Sequence, residues 1–392
     1  MAQITRPTRS SGLRFLHAAN TRLDVAIRGV GQVGGPVRRT LEDISLHAFD
    51  RLVAAAIEHS VDVVLLGGNT FRIADRSLRA RLRVEAGLAD LSEAGIATVA
   101  NCGPLDLPSA WYDLALPEEV AILTDRDPAV ELETEHGPVT VSRGDAIDGN
   151  GVQIVLMPAD AQPGDLDGVA ADYIGLAGGC SMTTEVATAL VHDPGPLCPP
   201  TPDDHGVHGA TLVEHTRSGF RTTPLDLSPL LCVAETIEVD EDTDIETLAT
   251  RMQQRLADLS DVSETDEAAA MVVTWQLDGS GPVTSDLALD GTWGDLLELV
   301  GEVGTSRVHL LRREPAAVVA DDVAAMLTDE LGGYFAETDQ AVSEAVAGVN
   351  HTALRERIDS PAVHERIERR AAELARIAIG PEAGSPWSSD AA

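Results

Sequence analysis

Short apolar segments alternate with longer stretches of helical periodicity along most of this chain, and no other feature restricts its fold as strongly. Five apolar segments are typical of strands, at residues 14–19, 61–67, 96–100, 152–157 and 172–177. Two amphipathic stretches predict helices at 40–59 and 77–94, the second of which ends at Gly95, a residue suited to a helix C-terminus. Strands that alternate with helices in this way predict a layered α/β domain.

The remainder of the chain has other patterns. Residues 118–141 have the shorter rhythm of β-hairpins, and residues 321–379 are helical and strongly charged. Between them, strands at 235–239, 270–277 and 308–312 alternate with helices at 244–259 and 293–303, the order of a compact α+β domain. We predict three units, at 13–232, 233–318 and 319–380, with disordered ends at 1–12 and 381–392.

The charge of the chain is strongly negative. It has 64 acidic residues against 28 basic ones, a net charge of −36, and every basic residue is arginine. The acidic excess is spread along the chain, which is typical of proteins from extreme halophiles; an acidic surface for a partner is the alternative. Concentrated salt screens charge repulsion and also removes most of the counterion-release drive for DNA binding. Net charge therefore neither favours nor excludes a DNA-binding function.

The cysteines and the apolar residues predict a soluble cytoplasmic protein. Cys102, Cys180, Cys198 and Cys232 are far apart and form no CxxC pair, so they indicate neither a disulfide framework nor a zinc ribbon. No apolar run is long enough to span a membrane, and the N-terminus lacks the apolar core of a signal peptide. We therefore expect reduced thiols and no membrane segment.

Working residues of open α/β sheets lie just beyond the carboxyl ends of the strands, so these positions decide which chemistry is available. The first three predicted strands lead into Asn20, Asn69 and Asn101. The fourth ends at Met157, and the fifth leads into the sequence GGC at 178–180. These positions carry amides, a thioether and a thiol.

The segments around these strand ends resemble a known family. The motifs that carry the resemblance are FLHAANTRLD, HAFDRLVAAAIEHSVDVVLLGGNTF, ADRSLRARLR and DYIGLAGGC, with VTWQLDGSGPVTSDL in the second unit. They resemble the SbcD/YhaO-like DNA repair exonucleases of the calcineurin-like metallophosphoesterase superfamily, as a degenerate haloarchaeal member. The resemblance spans residues 13–315 and is strongest at 13–106. It implies a sandwich of two sheets flanked by helices, a small α+β capping domain and C-terminal helices.

The resemblance also implies what the strand ends would do. The family would use two Mn²⁺ ions held by carboxylates and imidazoles, with a bridging carboxylate between them. The positions for these ligands are Asn20, Arg22, Asn69, Asn101, Met157, Gly178 and Cys180, and Cys102 stands where a His would assist the leaving group. Only Asn101 keeps the family's residue, and Arg22 brings a positive charge to a metal position. We therefore predict no catalytic residue, no metal and no cofactor.

These replacements favour a non-catalytic scaffold or regulatory subunit in DNA repair or DNA end processing. The alternatives are an active metal-dependent exonuclease or phosphoesterase with a reshaped site, and a DNA-binding module. The resemblance implies three candidate partners: an SbcC-like, SMC-type ATPase docked on the C-terminal helices, DNA, and a second copy of the chain.

Two further motifs have a simple structural interpretation. The glycines Gly29, Gly31 and Gly34 form a GxGxxG pattern, but Gly35-Pro36 is expected to interrupt the helix that a dinucleotide site needs, which favours a flexible loop. The loop containing Asp203, Asp204, His205 and His208 could hold a metal, but it lacks helical spacing, which favours a polar surface loop.

The thiols and the basic clusters also favour a structural role over a functional one. Cys102 and Cys180 are expected to face each other near Met157 and to fill an emptied cavity, rather than to form a redox or soft-metal site. The basic clusters are expected to be solvated helix faces rather than DNA contacts; they are Arg76, Arg79, Arg81 and Arg83, and Arg355, Arg357, Arg366, Arg369 and Arg370.

Overall fold

The structure is a computed structural model of the 392-residue chain. It describes residues 12–30, 35–147, 149–159, 161, 163–262, 270–279, 281–287, 292–300 and 307–312. The charged helical region predicted at 321–379, its arginines and both predicted disordered ends, apart from Gly12, lie outside these ranges. The chain divides into two units at Arg312–Arg313, and only the first contains described residues.

The first sheet has six strands in the order β12-β11-β1-β2-β3-β4. Its strands are β1 (Arg14–Ala18), β2 (Val63–Leu66), β3 (Ala97–Asn101), β4 (Val120–Leu123), β11 (Gly209–Thr216) and β12 (Gly219–Asp226). Strands β1 to β4 are parallel, and β11 pairs with β1 in the antiparallel direction. The prediction of hairpins throughout 118–141 is wrong for β4, because residues 120–123 pair in parallel with β3 at the sheet edge.

The second sheet also has six strands, in the order β5-β6-β7-β8-β10-β9. They are β5 (Ala129–Thr134), β6 (Gly137–Arg143), β7 (Val152–Leu156), β8 (Tyr173–Gly175), β9 (Met182–Val186) and β10 (Ala189–Asp193). Strands β6, β7, β8 and β10 are parallel, while β5 and β9 form antiparallel edges. The predicted strands at 152–157 and 172–177 are therefore neighbours at the centre of this sheet.

Two apolar layers hold these sheets in place, and β1 contributes to both because successive residues of a strand point to opposite faces. Phe15 belongs to a cluster between the two sheets, together with Val141 and Tyr173. Leu16 and Ala18 belong to a second cluster, which lies beneath the helices. The predicted α/β architecture of two sheets flanked by helices is confirmed.

Two helices cover the outer face of the first sheet: α1 (Gly35–Glu58) and α2 (Leu78–Glu93). Ser77 caps α2 by accepting a 3.1 Å hydrogen bond from the backbone N–H of Ala80. Gly95 follows the helix with φ 73°, the left-handed conformation expected at a glycine C-terminus. The two predicted helices at 40–59 and 77–94 are confirmed.

One detail of the loop before α1 differs from the prediction. The helix begins at Gly35, so Gly35-Pro36 does not interrupt it, since a proline is tolerated in the first turn, where its missing N–H has no partner to lose. Residues 25–27 are not a strand, so the strand–turn–helix unit of a dinucleotide fold is absent here. Gly31 and Gly34 lie outside the described residues.

A third, three-stranded parallel sheet has the order β13-β14-β15. Its strands are β13 (Leu230–Val239), β14 (Ala270–Gly279) and β15 (Arg307–Arg312). Three helices accompany them: α4 (Ile245–Val262), α5 (Pro282–Asp286) and α6 (Thr292–Val300). The remaining short helix, α3 (Pro108–Tyr112), lies earlier in the chain, between β3 and β4. Trp275, Leu248 and Leu296 form the centre of the apolar cluster of the third sheet. The predicted β-α-β-α-β order is confirmed, while the domain boundaries stay a prediction. None of the described helices is both long and apolar enough to cross a membrane.

Buried polar side chains lie between the two sheets. The Nδ1 atom of His17 is 2.8 Å from the hydroxyl oxygen of Tyr173. The ring of His192 contacts Thr183 through Nδ1 and Thr211 through Nε2, both at 2.8 Å. Burial lowers the pKa of His192 to about 4, and burial together with the charge of His192 lowers the pKa of His17. Both imidazoles are therefore neutral in the folded protein near neutral pH.

The contact between α1 and α2 predicts the effect of one small substitution. A Cβ atom at Gly87 would lie 2.7 Å from Cε1 of Phe49 and 2.9 Å from Cγ2 of Val53, closer than packed atoms can approach. We expect Gly87→Ala to lower the free energy of unfolding by about 1–3 kcal/mol in urea titrations. Gly294→Ala is the control, because a Cβ atom there meets nothing within 4 Å. It should raise stability slightly by removing a helical glycine; equal effects of the two variants would contradict this packing.

The neutral His192 predicts how stability changes in acid. Unfolded histidine binds a proton near its ordinary pKa of 6.5, whereas folded His192 binds one only near 4, so this residue lowers stability as pH falls from 6.5 to 4. In His192→Gln that contribution is absent. Unfolding in urea at several pH values should therefore show a slope shallower by about 1 kcal/mol per pH unit near pH 5 in the variant. Parallel curves for the two proteins would contradict a buried, neutral His192.

Candidate functional site

The carboxyl ends of both central sheets meet at one edge of the sandwich. The loop after β1 continues beside the loop after β2: the N–H groups of Asn20, Arg22 and Leu23 donate to the carbonyl oxygens of residues 68, 69 and 70 at 2.9–3.0 Å. The side chains of Asn20 and Asn101 then reach backbone carbonyls that follow β8 and β7 in the other sheet. This edge is where the sequence placed the candidate site.

A chain of amide hydrogen bonds joins the first two strand ends to the second sheet. The backbone N–H of Leu105 donates to Oδ1 of Asn69 at 3.3 Å, and Nδ2 of Asn69 donates to Oδ1 of Asn20 at 2.9 Å. Nδ2 of Asn20 donates in turn to the carbonyl oxygen of Ala177 at 2.8 Å. Because a backbone donor stands at one end and a backbone acceptor at the other, the orientation of both amides is fixed.

Asn101 makes a second link between the sheets. Its Nδ2 donates to the carbonyl oxygen of Met157 at 2.9 Å. Its Oδ1 accepts a hydrogen bond from the guanidinium of Arg143, which also donates to the carbonyl oxygen of Cys102 at 2.7 Å. Asp125 pairs with Nε of the same arginine at 3.2 Å. A positively charged side chain from β6 therefore lies against Asn101, the one position where the resemblance implies that a family ligand is kept.

The loops that present these asparagines are shaped by Asp106. Its carboxylate accepts backbone hydrogen bonds from Asn69, Thr70 and Gly103 at 2.8–2.9 Å, and it is completely buried. Burial raises the pKa of Asp106, and these N–H groups act in the opposite direction by stabilising the carboxylate. Gly103 must be a glycine here, since a Cβ atom would lie 2.6 Å from Oδ1 of Asn69.

Asp193 has the corresponding role in the second sheet. It ends β10, and its carboxylate accepts hydrogen bonds from the backbone N–H groups of Gly178, Gly179 and Gly195 at 2.6–3.2 Å. Burial raises the pKa of Asp193 to about 6, although these three N–H groups lower it. Gly178, a predicted ligand position, is thus part of a loop held by a carboxylate that sequence reasoning did not select.

The two cysteines of the site do not form the pair that was predicted. Cys102 and Met157 are buried, and burial raises the pKa of the Cys102 thiol to about 12, so this thiol is protonated. Cys180 is exposed and lines a separate cleft with His205 and His208. The prediction that Cys180 fills the emptied cavity is therefore wrong, because its loop carries the side chain out to solvent.

The residues at this edge do not fit a pair of divalent cations. The side-chain oxygens of Asn20 and Asn69 accept hydrogen bonds from protein N–H groups, and neither residue brings a negative charge. Arg143 and Arg22 add positive charge, where two Mn²⁺ ions need anionic oxygens and imidazoles. Within the described parts of the chain, no group of three or more His, Cys, Asp or Glu side chains could hold a metal ion.

The acidic loop at 203–208 and the arginines of α2 form ordinary contacts within the protein. Asp204 accepts hydrogen bonds from the backbone N–H and hydroxyl of Thr201, and Nε2 of His208 lies 3.0 Å from the carbonyl oxygen of Asp204. On α2, Arg79 pairs with Asp43, and Arg83 pairs with Asp50 at 2.8 Å. These contacts favour the polar-loop and solvated-helix interpretations given above.

Sequence reasoning missed Arg143, Asp106 and Asp193. Arg143 lies in the region of weakest resemblance, and its contact with Asn101 joins residues 42 positions apart, so no local pattern reveals it. Asp106 and Asp193 had a usable signal: each is a carboxylate at or just beyond the end of a strand with a glycine within three residues, which is typical of a side chain that accepts backbone N–H groups.

The chain is similar in sequence to a known protein over part of its length. No family model matches the chain. The chain is 31% identical over 117 residues to the uncharacterized metallophosphoesterase YhaO of Bacillus subtilis (strain 168), a match that covers 30% of this chain and 29% of YhaO. The chain thus spans less than a third of the length of this relative.

Among solved structures, the similarity is weaker. TT1561 of Thermus thermophilus is 16% identical, with a TM-score of 0.35, and the match covers 54% of this chain and 99% of that protein. A dimetal phosphatase from Danio rerio is 9% identical, with a TM-score of 0.35, and the match covers 54% of this chain and 98% of that one. The similarity to YhaO supports the metallophosphoesterase part of the predicted resemblance, while its SbcD-type and haloarchaeal parts stay predictions.

Proposed function

We propose that this chain is a metallophosphoesterase-like protein that functions without the family's metal pair, as a non-catalytic scaffold or regulatory subunit in DNA repair or DNA end processing. One observation carries this proposal: Nδ2 of Asn69 donates to Oδ1 of Asn20 at 2.9 Å. The two residues at the positions where the resemblance implies anionic ligands are therefore hydrogen-bonded to each other and to the backbone, and neither offers a negatively charged oxygen to a cation.

Electrostatics supports the same proposal. Two divalent cations a few ångströms apart repel each other strongly unless a bridging carboxylate and further anionic ligands offset their charge. This edge of the sandwich presents neutral amides and the guanidinium of Arg143 instead. The two buried carboxylates of the loops at this edge, Asp106 and Asp193, are occupied by backbone N–H groups.

The role in DNA end processing is inferred from the sequence resemblance alone. Its implied partner is an SMC-type ATPase, reached through the C-terminal residues beyond 319; DNA and a second copy of the chain are further partners that the resemblance implies. We expect the full-length chain, co-expressed with an SMC-type ATPase from the same genome, to co-elute with it at molar KCl. A version ending at residue 318 should elute separately. Separate elution of the full-length chain would contradict the subunit proposal.

The rival is a metal-dependent hydrolase with a reshaped site, and metal titration separates the two. We expect calorimetric titration with millimolar Mn²⁺ to give no saturable heat, because the site lacks anionic ligands. We also expect no Mn²⁺-dependent cleavage of a model phosphodiester or of duplex DNA ends. Asn101→Ala is the matched variant: saturable Mn²⁺ binding with hydrolysis that this substitution abolishes would establish the rival and overturn the proposal.

A further inference from the structure

Positive charge gathers in a cleft beside the strand ends. Arg22 and Arg28 line this cleft together with Asn20, and Val25 and Ile44 form part of its apolar wall. The backbone of Arg22 is fixed to the neighbouring loop, since its N–H donates to the carbonyl oxygen of residue 69 at 3.0 Å. The cleft therefore opens directly beside the asparagine network and is held by the same loops.

A third arginine, Arg72, acts on the same place. Burial lowers the pKa of Arg22 most, and the positive charges of Arg28 and Arg72 lower it further. Asp204, the smallest of these influences, acts in the opposite direction and offsets part of this effect, while its Oδ2 accepts hydrogen bonds from Thr201. The positive charges of Arg28 and Arg72 thus lie close enough to disfavour the charged form of Arg22, an effect that a bound anion would offset.

One donor of Arg22 lacks an acceptor. Its Nε is buried without a hydrogen-bond partner, and no carboxylate of the described residues forms an ion pair with it or with Arg28. A guanidinium has five N–H donors, and a buried donor left without an acceptor is unfavourable. Other arginines of this acidic chain do have carboxylate partners, as in Arg83–Asp50 at 2.8 Å and Arg255–Glu235 at 2.6 Å.

We propose that the cleft lined by Arg22 and Arg28 binds a phosphate group through guanidinium hydrogen bonds, without a metal ion. Guanidinium groups match phosphate oxygens in pairs, and a phosphate would supply the acceptor that Nε of Arg22 lacks. Arg72 adds positive charge nearby while it pairs with Asp75 at 2.7 Å. This inference rests on the proposed function and adds its ligand class: a phosphate that is bound rather than cleaved.

The test is a calorimetric titration of the full chain with inorganic phosphate, in EDTA and in KCl adjusted to constant ionic strength. We expect saturable binding by the wild type and an affinity about tenfold weaker in Arg22→Gln, the loss expected for one charge-assisted hydrogen-bonded contact. Arg28→Gln should also weaken binding. The control is Arg217→Gln, which removes the same charge from the exposed β11–β12 turn at the other end of β1.

Two results of this titration would overturn the phosphate site. They are the absence of saturable heat with the wild type, and equal affinities in Arg22→Gln and Arg217→Gln. Because Arg28 is exposed, Arg28→Gln does not threaten the fold and tests the cleft even if Arg22→Gln unfolds. Oligonucleotides with a 5′-phosphate and with a 5′-hydroxyl then separate a nucleic-acid end from free phosphate as the source.

The phosphate titration and the Mn²⁺ titration together show which of the two proposals is overturned. Phosphate binding in EDTA with no Mn²⁺ binding supports both proposals. Absence of phosphate binding and of Mn²⁺ binding overturns only the phosphate site. Phosphate binding that appears only after Mn²⁺ is added overturns both, because the anion would then be held by a metal.

Discussion

The hydrogen bonds between asparagine amides at the carboxyl edge of the sandwich are the interaction on which the rest of the site depends. Asn69 and Asn20 connect two loops of the first sheet and reach the carbonyl oxygen of Ala177 in the second, and Asn101 makes a parallel link to Met157. In a two-metal protein, cations and their ligands would cross this gap. Here the side-chain amides of Asn20 and Asn101 cross it together with the guanidinium of Arg143, and both amide nitrogens have a backbone acceptor in the second sheet.

The carboxylates that remain nearby are used for architecture. Asp106 and Asp193 each accept hydrogen bonds from three backbone N–H groups and so define the loops after β2, β3, β8 and β10. A carboxylate with three such donors is stabilised in place but has little capacity left for a cation. The positive charge at this edge comes from arginine. The guanidinium of Arg143 donates a hydrogen bond to Asn101, whereas Nε of Arg22 has no acceptor. The phosphate proposal follows from this difference.

Much of the fold followed from local patterns. The strands at 14–19 and 61–67 and the helix at 77–94 were predicted because alternating or helical periodicity records which face is buried, and Ser77 and Gly95 mark the helix ends chemically. The strand at 120–123 was misassigned because parallel pairing and hairpin pairing demand the same residue types. The interruption expected at Gly35-Pro36 was wrong because proline is disfavoured inside a helix but not in its first turn.

The sequence by itself determined the chemical types at the strand ends: Asn20, Asn69 and Asn101 are amides, Arg22 is a cation, and Gly178 has no side chain. It also determined that the chain carries a net charge of −36. Only the tertiary structure decided how those groups are used. It paired Asn69 with Asn20, brought Arg143 to Asn101 from 42 residues away, and turned Cys180 out to solvent. Residue type limits which bonds are possible, but which donor meets which acceptor depends on the packing of two sheets that are distant in sequence.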